Sequence, residues 1–171
     1  MVRAIGKSKG CNQMLKLNLG CGEDVRKGYD NIDIRKLPDC IQADVCELPY
    51  EKDSVDEILA SDVYEHISHR KSLDLLKHWY SLLKPGGLLI LRSPCIDTIV
   101  KYLLNAKDFG EIEAGIRMIF GGQEYKENAH LTICHVKTME HYFEQIGFVD
   151  ITYSFEAQNV IFRTYKEKHN V

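Results

Sequence analysis

The most informative stretch of the sequence is MLKLNLGCG, residues 14–22. Apolar and polar residues alternate through its first six positions, and the alternation then stops at two glycines around a cysteine. Alternation of this kind is typical of a β-strand, and glycines commonly end a strand in a tight turn. The first strand is therefore predicted over residues 14–19. Because glycine also lets a backbone approach a ligand closely, the turn formed by Gly20 and Gly22 is a candidate binding loop.

The rest of the chain alternates between strand and helix patterns. Further strands are predicted from short apolar runs at residues 30–34, 40–43, 55–60, 88–91, 148–153 and 159–164. Helical periodicity predicts one helix that ends at Pro85, a second after residue 95 and a third at 137–146. This order predicts an α/β fold, a three-layer αβα sandwich whose mostly parallel seven-stranded sheet ends in an antiparallel C-terminal hairpin. No linker divides residues 1–171, so a single domain is expected.

Composition excludes several classes of protein. The chain has 171 residues, with 22 Lys and Arg against 25 Asp and Glu, a formal net charge of −3. A nucleic-acid partner is disfavoured, because proteins that bind the phosphate backbone usually carry a basic excess. No apolar run approaches the roughly 20 residues of a membrane span, and residues 1–12 do not resemble a signal peptide. The six cysteines show no C-x2-C spacing, so free thiols and a cytoplasmic location are expected.

Two acidic residues follow the second and third predicted strands. Asp33 ends the second strand, and Asp44 follows the third. In a parallel sheet, an acid at the end of the second strand can accept both hydroxyls of a ribose that lies against the first glycine turn. A carboxylate after the third strand can accept a hydrogen from an adenine amine. Together with the glycine turn, these acids predict a nucleoside site at the carboxyl edge of the sheet.

On these residues the chain resembles the class I S-adenosylmethionine-dependent methyltransferases. The resemblance runs through LNLGCG (17–22), NIDI (31–34), ADVCELPYEKDSVDEILASDVYEHI (43–67) and LLKPGGLLILRSP (82–94). It implies a Rossmann-like methyltransferase fold with S-adenosylmethionine as cofactor. The residues that the resemblance places around the cofactor are Asn18, Gly20, Cys21, Gly22, Asp33, Ile34, Asp44, Val45, Ser61 and Asp62.

Two features depart from the family pattern. Asn18 stands where the family usually has an acid, so it can hydrogen-bond an amino group but supplies no charge. Val25 stands where the longer glycine motif has its third glycine, so an irregular turn into the first helix is expected.

The acceptor side is predicted around Asp62, Glu65 and His66. These residues would share one helix face if a helix began at residue 62. The pattern resembles the E-x-x-E-H metal site of some O-methyltransferases, with Asp in place of the first Glu. Hard divalent cations normally prefer more carboxylates, so we expect no metal site and His66 as a general base.

Residues 106–136 lie where family members insert substrate-recognition structure. This segment contains a Gly-Gly pair and two further candidate bases, His130 and His135. The sequence thus favours a methyltransferase that acts on a small-molecule acceptor at an oxygen. A non-catalytic nucleoside- or S-adenosylmethionine-binding module and an RNA or protein methyltransferase remain open at this stage. A homo-oligomer is also considered, because few residues precede the first strand and a second subunit could complete the pocket.

Overall fold

Seven strands form one sheet in the computed structural model, which describes residues 14–168. The strands are β1 (Lys16–Leu19), β2 (Asp30–Asp33), β3 (Ile41–Gln42), β4 (Val55–Ser61), β5 (Leu83–Pro94), β6 (Phe148–Glu156) and β7 (Asn159–Lys166). Their order across the sheet is β3-β2-β1-β4-β5-β7-β6. Strands β1 to β5 are parallel, whereas β7 runs antiparallel to both β5 and β6. The predicted mostly parallel sheet with its antiparallel C-terminal pair is confirmed.

Within residues 14–168, four α-helices accompany the sheet, namely α1 (Ser72–Leu82), α2 (Ile96–Leu104), α3 (Phe109–Phe120) and α4 (Val136–Ile146). Gly147 follows α4 with a left-handed φ of 104°, as expected for a glycine that ends a helix. Leu83, predicted as part of the helix that ends at Pro85, begins β5 instead. None of the helices within residues 14–168 is long and apolar enough to cross a membrane.

The core lies between the sheet and the helices α1 and α4. Trp79 and Phe143 are fully buried there, and the Phe143 ring meets those of Phe148 and Phe162 edge-on, with ring centroids 5.4 Å apart in each pair. The Trp79 indole Nε1 donates a hydrogen bond to the carbonyl of Val45 at 2.9 Å. This bond satisfies a polar group that burial would otherwise leave unpaired, and it fixes the chain just after β3.

Between β1 and β4 the described chain contains no α-helix, so the expected first helix after β1 is absent. A crossover that includes its own helix needs at least about 10–12 residues, and residues 20–29 lie at the lower limit of that length. The loop is held by the buried Asn18, whose side-chain nitrogen donates to the Asp24 carbonyl at 2.7 Å and to Asn31 Oδ1 at 2.9 Å.

Strand β1 lies at the point where the strand order reverses. It pairs with β2 on one side and with β4 on the other. In open α/β sheets a crevice forms at such a point, outside the carboxyl ends of the strands. The loops after β1, β2 and β4 therefore meet at one edge of the sheet.

Candidate active site

The glycine turn after β1 has the backbone conformation that requires glycine. Gly20 and Gly22 have left-handed φ angles of 61° and 51°. A Cβ atom on Gly20 would lie 2.6 Å from Val63 Cγ2, so the turn packs directly against the segment that follows β4. The turn is thus held close to the carboxyl end of β4, with no side chain at either glycine.

Asp33 lies beside this turn, at the end of β2. It is 4% exposed, and its Oδ2 accepts a hydrogen bond from the Gly22 backbone N–H at 2.9 Å. Its Oδ1 accepts from the Arg35 backbone N–H at 2.9 Å and from Arg35 Nε at 3.0 Å. Burial opposes ionisation, but the hydrogen bonds from Arg35 and Gly22 outweigh it and hold the pKa of Asp33 below its ordinary value. Asp33 therefore presents an ionised acceptor at the turn.

The remaining residues predicted at the cofactor have different surroundings. Ile34 and Asp44 are exposed at the ends of β2 and β3, and Asp44 Oδ1 accepts from the Cys46 N–H at 2.8 Å. Val45 is buried in the core under Trp79. Cys21 is also buried, with its Sγ 3.0 Å from Cys40 Sγ.

Asn18 has a different place from the one that the resemblance implies. Its side-chain nitrogen donates to Asp24 in the loop after β1 and to Asn31 at the start of β2, and the residue is 2% exposed. We therefore assign Asn18 to shaping this loop, which in turn positions the glycines.

The chain after β4 does not form an α-helix from residue 62. Asp62 has a left-handed φ of 53°, and only a short 3₁₀ turn, Tyr64–His66, follows it. The Asp62 carboxylate accepts a hydrogen bond from the Arg92 guanidinium of β5. The condition under which Asp62, Glu65 and His66 would share an α-helix face is therefore not met, because a left-handed residue cannot belong to a right-handed helix. Ser61, at the end of β4, is half-buried beside this turn.

Glu65 is a carboxylic acid in the interior. It is 1% exposed, and its Oε2 accepts a hydrogen bond from the Ser93 hydroxyl at 2.9 Å. Burial raises the pKa of Glu65 to about 8, because the charged form loses its contact with water. A buried acid of this kind, beside a cavity, marks a candidate functional group.

His66 and His130 stand beside Glu65, and in each ring Nδ1 faces a backbone carbonyl. His66 Nδ1 lies 3.1 Å from the carbonyl oxygen of Ala129, and His130 Nδ1 lies 3.0 Å from that of Met118. Because a carbonyl only accepts, each Nδ1 carries the hydrogen and each Nε2 keeps a free lone pair. The two ring centroids are 5.0 Å apart. Burial and the neighbouring His66 hold the pKa of His130 below its ordinary value.

Backbone contacts bring His130 to this position. The N–H groups of Leu131 and Thr132 donate to the Glu65 carbonyl at 2.7 Å and 3.1 Å. Gly121 pairs with Ala129 in a short antiparallel bridge. A Cβ atom on Gly121 would lie 2.1 Å from the Asn128 carbonyl oxygen, so this close approach requires glycine.

A cavity of about 590 Å³ opens between the turn after β4 and the segment 106–136. Glu65, His66 and His130 line one part of it, and Arg117 and Tyr125 line another. Tyr125 also links the cavity to the cofactor side, because the Arg35 guanidinium lies 5.6 Å from its ring centroid.

His135, the third candidate base, lies elsewhere. It precedes α4 as its N-terminal cap, where its Nδ1 accepts from the Thr138 N–H at 3.4 Å. Its Nε2 is 3.5 Å from Asp97 Oδ1, and the residue does not line the cavity. The structure thus brings two of the three candidate histidines together. Sequence spacing alone could not distinguish them, although Gly121 and Gly122 marked the close approach that places His130.

Comparison with known proteins supports the resemblance found in the sequence. Residues 17–91 match the family described as "Methyltransferase domain". No curated protein is significantly similar in sequence. An S-adenosylmethionine-dependent methyltransferase from Archaeoglobus fulgidus is similar in structure, with a TM-score of 0.62 and 14% identity, over 90% of this chain and 86% of that chain.

Two further solved structures are informative. The 1,6-didemethyltoxoflavin-N1-methyltransferase of Burkholderia thailandensis, with bound 1,6-didemethyltoxoflavin and S-adenosylhomocysteine, has a TM-score of 0.59 and 13% identity over 90% of this chain and 71% of that chain. The [4+2]-cyclase SpnF has a TM-score of 0.59 and 12% identity, over 91% of this chain and 75% of that chain. Since a cyclase shares the fold, the reaction has to be argued from the site.

Proposed function

We propose that this chain is a class I S-adenosylmethionine-dependent methyltransferase and that it methylates a small-molecule acceptor at an oxygen atom. The observation that carries the proposal is the cluster of Glu65, His66 and His130. Their side chains line the cavity next to the loops that follow β1, β2 and β4. The two histidines of this cluster supply the proton-accepting groups that a hydroxyl acceptor needs.

The residues at the glycine turn fit the cofactor. Gly20 and Gly22 leave the backbone open at the turn, and Asp33 offers two carboxylate oxygens to a ribose diol. The half-exposed side chain of Arg35 donates to both of these oxygens, and the ribose hydroxyls would displace its guanidinium. Asp44 and Ile34, exposed at the neighbouring strand ends, would flank the adenine.

The acceptor side fits a hydroxyl better than an amine. A neutral amine is already nucleophilic, whereas a hydroxyl becomes a good nucleophile only as it loses its proton. When bound, the cofactor supplies a methyl carbon whose bond to sulfur breaks with the electron pair left on sulfur. The chain has to hold the acceptor oxygen in line with that carbon and take up the proton. Nε2 of His66 and Nε2 of His130 are the free lone pairs in position to accept it.

The cavity supports a small molecule as the acceptor. Its volume of about 590 Å³ lies within the ordinary range for ligand pockets, roughly 300–1,000 Å³. We assign acceptor recognition to the segment 106–136, which contributes Arg117, Tyr125 and Asn128 to the lining. His135 is left out of the catalytic assignment, since it caps α4.

The test is methyl transfer from S-adenosylmethionine labelled with ¹³C in its methyl group. The purified protein would be incubated with matched hydroxyl and amine acceptors of similar size, and the products analysed by mass spectrometry and NMR. We expect label on oxygen, with turnover reduced in His66→Asn and retained in the control His135→Asn. Label found on nitrogen with the amine acceptors alone would contradict the assignment to oxygen.

A further inference from the structure

We propose that Glu65, His66 and His130 bind a divalent first-row transition-metal cation, such as Mn²⁺ or Zn²⁺, on the acceptor side of the cavity. The proposed role of the cation in catalysis rests on the proposed function, whereas its binding does not. From the sequence we expected no metal site, and the alternative was a site formed by Asp62, Glu65 and His66. In the structure the third possible ligand beside Glu65 and His66 is His130 rather than Asp62.

The three side chains have converging donor atoms. One donor atom from each of Glu65, His66 and His130 lies within 4.8 Å of the others. Bonds of roughly 2.1 Å to a common cation require donor atoms roughly 3–4 Å apart. Small side-chain rotations would therefore close the cluster around an ion.

The histidines already have the ring orientation of metal ligands. Each Nδ1–H donates to a backbone carbonyl, of Ala129 for His66 and of Met118 for His130. Metal-bound histidines almost always donate their second ring N–H to a carbonyl or carboxylate, which fixes the ring and directs the lone pair of the other nitrogen at the metal. A single histidine could adopt this arrangement by chance of packing, but here two adjacent histidines share it beside a carboxylate.

The charges around Glu65 also favour a cation. Glu65 is buried, and its side-chain hydrogen bond comes from the neutral hydroxyl of Ser93. The guanidinium of Arg92 instead pairs with Asp62 and Glu156. Because burying a carboxylate without a compensating charge is costly, a cation between Glu65 and the histidines would stabilise the ionised form.

The donor set identifies the class of metal. Two imidazole nitrogens and one carboxylate suit first-row transition metals, whereas Mg²⁺ and Ca²⁺ prefer oxygen ligands. Catalytic zinc sites likewise use three protein ligands and keep a position open for water or substrate. In this cluster the open position would face the cavity, where the acceptor binds.

The cation would change how the acceptor loses its proton. A bound divalent cation lowers the pKa of a hydroxyl next to it, and the proton then leaves to water in the cavity. The lone pairs of His66 and His130 would serve as ligands, so direct proton transfer to imidazole would be replaced. The acceptor oxygen still forms its bond to the methyl carbon, and the electron pair of the broken carbon–sulfur bond stays on sulfur.

The experiment measures cation binding directly, on full-length protein that carries no polyhistidine tag. After treatment with EDTA and dialysis, the protein would be titrated with Mn²⁺ and with Zn²⁺ by calorimetry. We expect one cation per chain, with affinity at least about tenfold lower in Glu65→Gln and in His130→Asn, since even changes to the partners of metal ligands cost about 10–100-fold. The matched control His135→Asn, which changes a histidine outside the cavity, should bind the cation like the wild type.

Two further measurements use the wild-type protein, so they test the metal site even if a variant folds poorly. Nitrogen-15 NMR of the wild-type histidines should show Nε2 signals of two residues shifted on addition of Zn²⁺. Calorimetry with S-adenosylhomocysteine tests the cofactor site separately. Binding of S-adenosylhomocysteine without cation binding at millimolar concentration would overturn the metal site and leave the methyltransferase function standing. Cation binding that the cluster variants leave unchanged would also overturn it, whereas cation binding without S-adenosylhomocysteine binding would count against the proposed function alone.

Discussion

Replacing Asp33 by Asn tests the cofactor site with the smallest change in shape. Asp33 is the buried carboxylate next to the glycine turn, and the substitution removes its charge. A hydrogen bond to a charged group contributes about 1 kcal/mol more than a neutral one, so two ribose hydroxyls would lose about 2 kcal/mol. The wild type must also give up the half-exposed pair between Arg35 and Asp33 on binding, which costs about 0–1 kcal/mol. The net loss is then about 1–2 kcal/mol, or about 5- to 30-fold in Kd.

The assay is calorimetry of S-adenosylhomocysteine binding to the ligand-free protein. Asp24→Asn is the matched control, because Asp24 lies in the neighbouring loop with its side chain 61% exposed. Arg35→Ala should have the opposite effect and tighten binding by up to about fivefold, since it removes the group that competes for Asp33. The reasoning is refuted if Asp33→Asn binds within twofold of the wild type, or if Arg35→Ala weakens binding as much as Asp33→Asn does.

Three other changes test the site and the fold. Gly121→Ala should lower turnover at least about tenfold and leave the affinity for S-adenosylhomocysteine unchanged, because its methyl group would meet the Asn128 carbonyl and displace His130. The control is Gly110→Ala, whose methyl group would contact only Asp108. Wild-type turnover in Gly121→Ala would contradict this prediction. Trp79→Phe should lower the free energy of unfolding by about 1–3 kcal/mol, because the Val45 carbonyl loses its buried donor. The measurement is urea unfolding followed by circular dichroism, and an unchanged unfolding midpoint would show that the hydrogen bond contributes nothing. Calorimetry should detect S-adenosylhomocysteine binding and little binding of NAD, and equal affinity for the two would count against the cofactor assignment.

The fold could be predicted where one local pattern decides the structure. The alternation in residues 14–19 identified β1, and Gly147 identified the end of α4. The missing helix after β1 could not be predicted from periodicity, because it depends on the length of a connection. Asn18 stands where the resembling family usually has an acid, and the sequence alone does not show its role. In the structure its side-chain amide holds the loop that connects β1 to β2 without a helix.

The sequence predicted the positions of those site residues that directly follow a strand. Asp33 could be placed beside the glycine turn because both follow adjacent parallel strands. The ion pair with Arg35 could not be predicted, since it depends on how a side chain folds back over two residues. Whether a helix begins at residue 62 could not be predicted for a similar reason. The left-handed backbone of Asp62 has no signal in a pattern of spacings.

The position of His130 would link the proposed acceptor recognition to the proposed chemistry. His130 and the cavity residues Arg117 and Tyr125 belong to one segment, which includes the backbone bridge at Gly121. The N–H groups of Leu131 and Thr132 tie this segment to the Glu65 carbonyl. A change that reshapes the segment for a different acceptor would therefore also move His130 against Glu65 and His66. Substrate binding and turnover should consequently change together in variants of residues 106–136, whereas the cofactor residues at the ends of β1 and β2, which lie outside this segment, should vary independently of them.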